Sequence, residues 1–248
     1  MSTIYILWLR QLKRFWRKKT TLVGSLGQPI IYLFVLGFGL SPIFAKAGGG
    51  DYIQFIAPGI IGMTVLFTAI FNGVEIIWDK QFGFLKETFV APVSRFEILV
   101  GKTLGGATVA GIQGLLVFFI TFLSGFRPVS LAQLPLAFLF LVLISLLFSA
   151  IGNTIAARLD DMQGFPLIIN FVIQPLFFLS GALFPLNGLP SVLSFITKIN
   201  PLSYGVDGLR FALSNSNVFS PWTSIAVLSG FLVVTLAVGT YQFSKIEL

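Results

Sequence analysis

Residues 133–156 read QLPLAFLFLVLISLLFSAIGNTIA, without a single Asp, Glu, Lys or Arg. A bilayer core about 30 Å thick needs roughly 20 apolar residues in a helix. A lipid-embedded backbone must satisfy its own N–H and C=O groups, and stretches of this length do so as helices rather than barrel strands. Five further stretches read the same way: 22–44, 53–78, 104–126, 165–184 and 220–243. The expected fold is an all-α integral membrane protein with six transmembrane helices.

Composition supports that reading. The 248 residues are 56% hydrophobic and 10% charged, with a mean hydropathy of +0.94, values that a water-soluble domain could hardly tolerate. No connection between the stretches is long enough for a soluble catalytic domain, and the longest, 185–217, is itself apolar. The expectation is one membrane domain over 1–248 with three appendages: an N-terminal helix over 1–20, a loop over 79–97 and an external segment over 184–218. Cys and His are both absent, which excludes disulfides, thiolate chemistry and imidazole-based metal or proton work. A net charge of +7 in so apolar a chain points to topology and lipid headgroups, not to nucleic acid.

Lys and Arg accumulate on the cytoplasmic side of membrane proteins. Arg10, Lys13, Arg14, Arg17, Lys18 and Lys19 precede the first stretch; Lys80, Lys86, Arg95 and Lys102 follow the second; Arg158 and Lys245 complete that side. The other side holds Lys46, Arg127, Lys198 and Arg210. Twelve against four places both termini in the cytoplasm. Ala45-Lys46-Ala47 mimics a signal-peptidase site, but the apolar run before it exceeds the 7–15 residues of a signal sequence.

Ile4, Leu7, Trp8, Leu12, Phe15 and Trp16 recur at helical spacing, with Arg10, Lys13, Arg14 and Arg17 on the opposite face. Such a helix lies in the headgroup region and either anchors the chain or offers its polar face to a cytoplasmic partner. In the loop, Phe82, Leu85 and Phe89 share a helical face before Pro92, and Ser94 to Glu97 forms a capping box. Gly101-Lys102-Thr103 tempts a phosphate-loop reading, yet Phe96 stands where that motif needs Gly, and no strand precedes it.

Inside the apolar stretches, Glu75 is the carboxylate nearest a span interior and is a candidate for capping, snorkelling or gating. Asn72, Gln113, Asn153, Asn170 and Gln174 predict interhelical hydrogen bonds, the last two also serving as candidate gate or packing residues. Gly106, Ala110 and Gly114, with the pair Gly101 and Gly105, predict close helix approach. Asp160 and Asp161 diverge by about 100° on a helix and predict a cap on the fifth span rather than an acid/base pair. Pro185, Pro190 and Pro201 break SVLSFITKI (191–199), which is too short to cross. Helices that dip into the outer leaflet and return are expected there.

QPIIYLFVLGFGL (28–40), YIQFIAPGII (52–61), WDKQFGFLKETFVAPVSRFEILVGK (78–102) and NPLSYGVDGLR (200–210) together resemble the permease subunits of type-2 ATP-binding-cassette exporters, particularly the daunorubicin-resistance branch. The resemblance implies six helices, a second permease copy, and two separate cytoplasmic ATPase subunits that hold ATP and Mg; no cofactor sits in this chain. It implies a coupling helix entering the ATPase, carried by Phe82, Gly83, Phe84, Leu85, Glu87 and Thr88. Arg10, Arg14 and Arg17 would lie on an interfacial helix touching the same partner, spans one and five would face the dimer seam, and the Pro-broken segment would be re-entrant. The implied location is the plasma (inner) membrane.

Export driven by a partner's ATP hydrolysis is the reading these features favour. Phe far outnumbers Trp and Tyr, which leans the cargo towards a hydrophobic or amphipathic drug or lipid; polysaccharide or glycolipid is the alternative. A gradient-driven carrier or channel would need an ionisable midplane site or a pore-lining ring. An intramembrane enzyme would need a catalytic dyad that the sequence does not offer.

Overall fold

The computed structural model describes residues 2–46, 50–85, 88, 92–186 and 188–245, among which there is no strand. Helix α1 (Thr3–Arg17) starts where the Ser2 hydroxyl accepts from Tyr5 N–H and stops at Lys18, whose backbone leaves the helical region. A second helix follows in three parts: α2 (Lys19–Ile31), a π-helical stretch over Tyr32–Phe38, and α3 (Gly39–Lys46). Pro29 and Pro42 flank the π stretch, and each removes a backbone donor. The Ser41 hydroxyl donates to Gly37 O at 2.8 Å, placing a side-chain donor beside Pro42.

Helix α4 (Tyr52–Phe71), capped by Asp51, bends at Asn72–Gly73 into α5 (Val74–Gln81). Helix α6 (Arg95–Leu123) opens on the predicted capping box, with Ser94 and Glu97 each bonding the other's backbone N–H. It therefore begins nine residues before the apolar stretch at 104–126, which carries Lys102 into the helix. Helix α7 (Leu134–Arg158) precedes α8 (Gly164–Ile168), a π stretch over Ile169–Ile173 and α9 (Gln174–Phe178). Of the two predicted capping carboxylates, Asp161 takes the role: Oδ1 accepts from Gln163 and Gly164 N–H at 3.0 Å each.

Five helices among the described residues are long and apolar enough to cross a membrane; Gly164–Phe178 is shorter. That segment ends at Phe178 rather than at 184. The Asn200 amide caps Leu176 O at 2.7 Å, and Gly181 turns the chain at φ +76. Then come α10 (Ser191–Ile199), α11 (Pro201–Ser214) and the final α12 (Pro221–Ser244).

Helix α4 is the core of the bundle, buried on nearly every face and packed on α6, α7 and α11. An apolar helix without a polar face belongs in such a place. Helix α11 is almost wholly buried against α4, α7 and α12, although at about 21 Å it is too short to span. Its charges have partners inside the protein, although the buried Arg210 Nε has none. Asp207 accepts from Val218 and Phe219 N–H at 2.8 Å, and Arg210 donates to Gly181 O at 2.9 Å, its guanidinium 4.2 Å over the Phe55 ring.

Candidate functional site

The site lies at the basic end of the bundle, where α1, α5, α6 and the end of α7 meet the loop after Gln81. Helix α1 lies directly on α6. Gly101 leaves room for Ile4 and Leu7, Gly105 for Gln11, and Trp8 Nε1 donates to Thr108 Oγ1 at 3.0 Å. Of the apolar face read from the sequence, Leu7 and Phe15 are thus buried in protein beside Gln11, while Trp16 stays 60% exposed. The reason is the pair of small residues on α6, which let the backbones approach.

This packing turns the basic face of α1 towards α5. Arg10 grips Asp79 with both terminal nitrogens, at 3.1 and 2.9 Å, and Lys102 from α6 donates to the same carboxylate. Arg14 Nε lies 3.5 Å from Glu75. The Arg14 guanidinium and the Lys18 ammonium stand 5.1 and 4.9 Å from the Trp78 ring centroid. Arg17 is exposed. Below, Lys80 caps the end of α7, donating to Ala157 O (3.2 Å), Leu159 O (2.9 Å) and Asp160 Oδ1 (2.7 Å). The hydrogen bond and charge from Lys80 hold the Asp160 carboxyl below the usual carboxylate range. Asp160 is exposed, so the pair adds little stability, and that little is lost only as pH falls through the lowered pKa.

From this clamp hangs the loop. Phe82 is 83% exposed. Gly83 takes φ +77, a conformation side chains rarely adopt. Phe84 carries the Arg10 guanidinium 3.6 Å over its ring, Leu85 is buried, and Thr88 Oγ1 donates to Phe84 O at 2.9 Å. Glu87 lies outside the described residues. A shallow groove along α1 presents Tyr5, Ile6 and Leu9 beside Arg10, Lys13 and Arg17.

Four of the residues singled out in the sequence therefore converge: Arg10, Arg14, Glu75 and Phe84. Asn170, exposed, and Gln174, half-buried, lie on the fifth apolar segment, away from the clamp. Asn72 and Asn153 do bond between helices, to Gly106 O (3.4 Å) and Thr103 Oγ1 (3.1 Å). Sequence reasoning missed Asp79 and Lys102 as partners because it placed both in the loop. Nothing in a spacing of twenty-three residues signals an ion pair between two helices. Gly101-Lys102-Thr103 is helix interior, its Lys taken by Asp79 and its Thr by Asn153 and Ser149. Among the described residues, no three His, Cys, Asp or Glu side chains cluster as metal ligands.

A profile of the ABC-2 type transporter family matches residues 2–214. The chain is 31% identical to the transport permease ycf38 of Cyanophora paradoxa, over 99% of this chain and 89% of that protein. It is 30% identical to the inner membrane transport permease YadH of Escherichia coli K12, over 92% of this chain and 89% of the relative. Nodulation protein J of Rhizobium leguminosarum bv. viciae is 28% identical over 91% of this chain and 88% of its own length. Family membership implies partnership with the ATPase subunits of such a transporter. With its apolar helices and its clamp of α1 on α5 and α6, the chain belongs to the ABC-2 type transporter family, as a multi-pass membrane permease subunit of an ABC transporter.

Proposed function

We propose that the chain is the membrane half of an ATP-driven exporter, paired with a second permease copy and driven by two cytoplasmic ATPase subunits that bind ATP and Mg. Six spans with both termini in the cytoplasm of a plasma (inner) membrane fit the twelve-to-four distribution of Lys and Arg. The loop after α5 acts as the coupling helix. The observation that carries this role is Phe82, a large apolar side chain left exposed beside left-handed Gly83, on a loop held by the Arg10–Phe84 contact and the Asp79 ion cluster. A push on Phe82 would reach α1, α5 and α6 together, since one carboxylate binds all three. Arg10, Arg14 and Arg17, with Glu87 and Thr88, complete the surface offered to the ATPase. Exposed Phe34, Phe38 and Phe171, on the π-helical stretches of the first and fifth apolar segments, would face the dimer seam in this reading, and Asn170 and Gln174 the path. π-Helical turns are frequent at functional sites. The cargo is hydrophobic or amphipathic, a drug or a lipid.

The test is co-purification with a Walker-motif ATPase, followed by turnover in proteoliposomes. Phe82→Asp and Gly83→Val are expected to retain the permease in the membrane but lower cargo-stimulated ATP hydrolysis at least tenfold, about the loss of one interface hot spot. Unchanged stimulation in both variants would remove the coupling assignment.

A further inference from the structure

Asp79 and Lys80 are neighbours of opposite charge near the end of α5, and about 100° of helix separates their directions. Asp79 ties α5 to α1 and α6. Lys80 turns to another side, and its side chain is 17% exposed. An ammonium has three donors, and here they serve Ala157 O, Leu159 O and Asp160 Oδ1. The two carbonyls lie at the C-terminal end of α7, where such groups lack intrahelical partners and a cation complements the helix dipole. They carry the grip, because the Asp160 side chain is 93% exposed and ion pairs in water are weak.

This grip adds to an attachment between α5 and α7 at the elbow. There Gly73 and Gly152 bring the backbones together, and a Cβ on Gly73 would lie 2.3 Å from Gly152 O. From Gly73 to Lys80 and from Gly152 to Leu159 are each seven residues, about 10 Å of helix. Fastened at both ends of that length, α5 cannot tilt without taking the end of α7 with it. A short turn joins that end to the fifth apolar segment. Lys80 holds Leu159 and Asp160, while the next residue, Asp161, caps α8 through Gln163 and Gly164 N–H. The Leu159 side chain also closes on Gly164, where a Cβ would lie 3.0 Å from Leu159 Cδ2. A displacement of Lys80 therefore reaches α8 with little slack.

We infer that Lys80 is a positioning residue that delivers displacement of the loop after α5 to the fifth apolar segment, through the end of α7 and the turn at 159–163. The inference rests on the coupling role proposed above and supplies its route to the path. The test uses the full chain with its co-purified ATPase in nanodiscs. The chain has no Cys, so a nitroxide on Gln163→Cys, an exposed position, reports the distance between the two copies beside α8 by double electron–electron resonance. That distance is expected to shift between the nucleotide-free and the ATP–Mg–vanadate states. Lys80→Met keeps the length of the side chain, removes all three bonds and should lose the shift, whereas Asp160→Asn leaves both carbonyl bonds and should retain it. A Gly-Gly insertion between Asp160 and Asp161 spares Lys80 and the α8 cap but adds slack. It should lose the shift as well, which a merely structural Lys80 would not require. No shift in the native chain, an undiminished shift in Lys80→Met or in the insertion, or its loss in Asp160→Asn overturns the assignment. Should Lys80→Met fail to fold or to assemble, the insertion decides. Phe82→Asp separates the two readings. Where it abolishes the shift and Lys80→Met does not, the coupling role stands and this route falls; where it leaves the shift intact, the coupling role falls and takes the route with it.

Discussion

At the residue scale the protein turns on Asp79, a carboxylate that receives three hydrogen bonds from two cations on two different helices. Its side chain and that of Lys102 are 5% and 3% exposed, so neither charge can turn to water if the other is lost. Breaking a buried pair by removing one partner costs about 3–5 kcal/mol, because an uncompensated charge remains. Asp79→Asn should therefore lower unfolding stability in detergent by about that range, and Asp79→Asn with Lys102→Met should regain much of it. A double-mutant cycle on unfolding midpoints checks this, and strict additivity of the two changes would contradict the coupling. The charges themselves are plain in the sequence. Their pairing is not, because it depends on α6 beginning at Arg95 and so carrying Lys102 inward beside Asp79. Gln113 gave the same kind of partial signal: a polar residue in an apolar run is visible, whereas the lack of a partner for its buried carbonyl oxygen is a fact of packing.

At the element scale, the small residues foreseen on α6 do admit a neighbour, and the neighbour of Gly101 and Gly105 is α1. The elbow between α4 and α5 depends on a contact that spacing did not suggest. Gly73 faces the backbone of Gly152, and a Cβ on Gly152 would lie 2.6 Å from Ile70 O and 2.9 Å from Ile70 Cα. Because backbone rather than a mobile side chain must yield, Gly152→Ala should cost about 3 kcal/mol, the upper end of the range for overpacking. The unfolding midpoint would reveal it, and a change within experimental error would show that α4 and α7 can part cheaply. The fifth apolar segment shows where reading by hydropathy overshoots. Apolar residues continue to 184, but the Asn200 cap and the Gly181 turn end the helix at Phe178.

At the scale of the whole molecule, α4 and α11 are enclosed, while few of the described residues of α2, α3 and α12 are buried. Lipid can cover one such face and a second copy the other. Since the chain has no Cys, single replacements report directly. Phe34→Cys, on the first span, should cross-link to a homodimer with a short bis-maleimide in membranes, and Val233→Cys, on α12, should not. Equal cross-linking at both sites would place the seam elsewhere. Membrane residence and helical class were fixed by the amino-acid sequence alone, because bilayer thickness sets a length of apolar helix that local composition either meets or fails. The same holds for the helix starts, which Ser94 with Glu97 and Asp161 set through bonds a few residues long. Only the tertiary structure decided that α1 lies on α6 and that Asp79 joins three helices. Those outcomes depend on how closely backbones distant in sequence approach, and no periodicity along the chain encodes that distance.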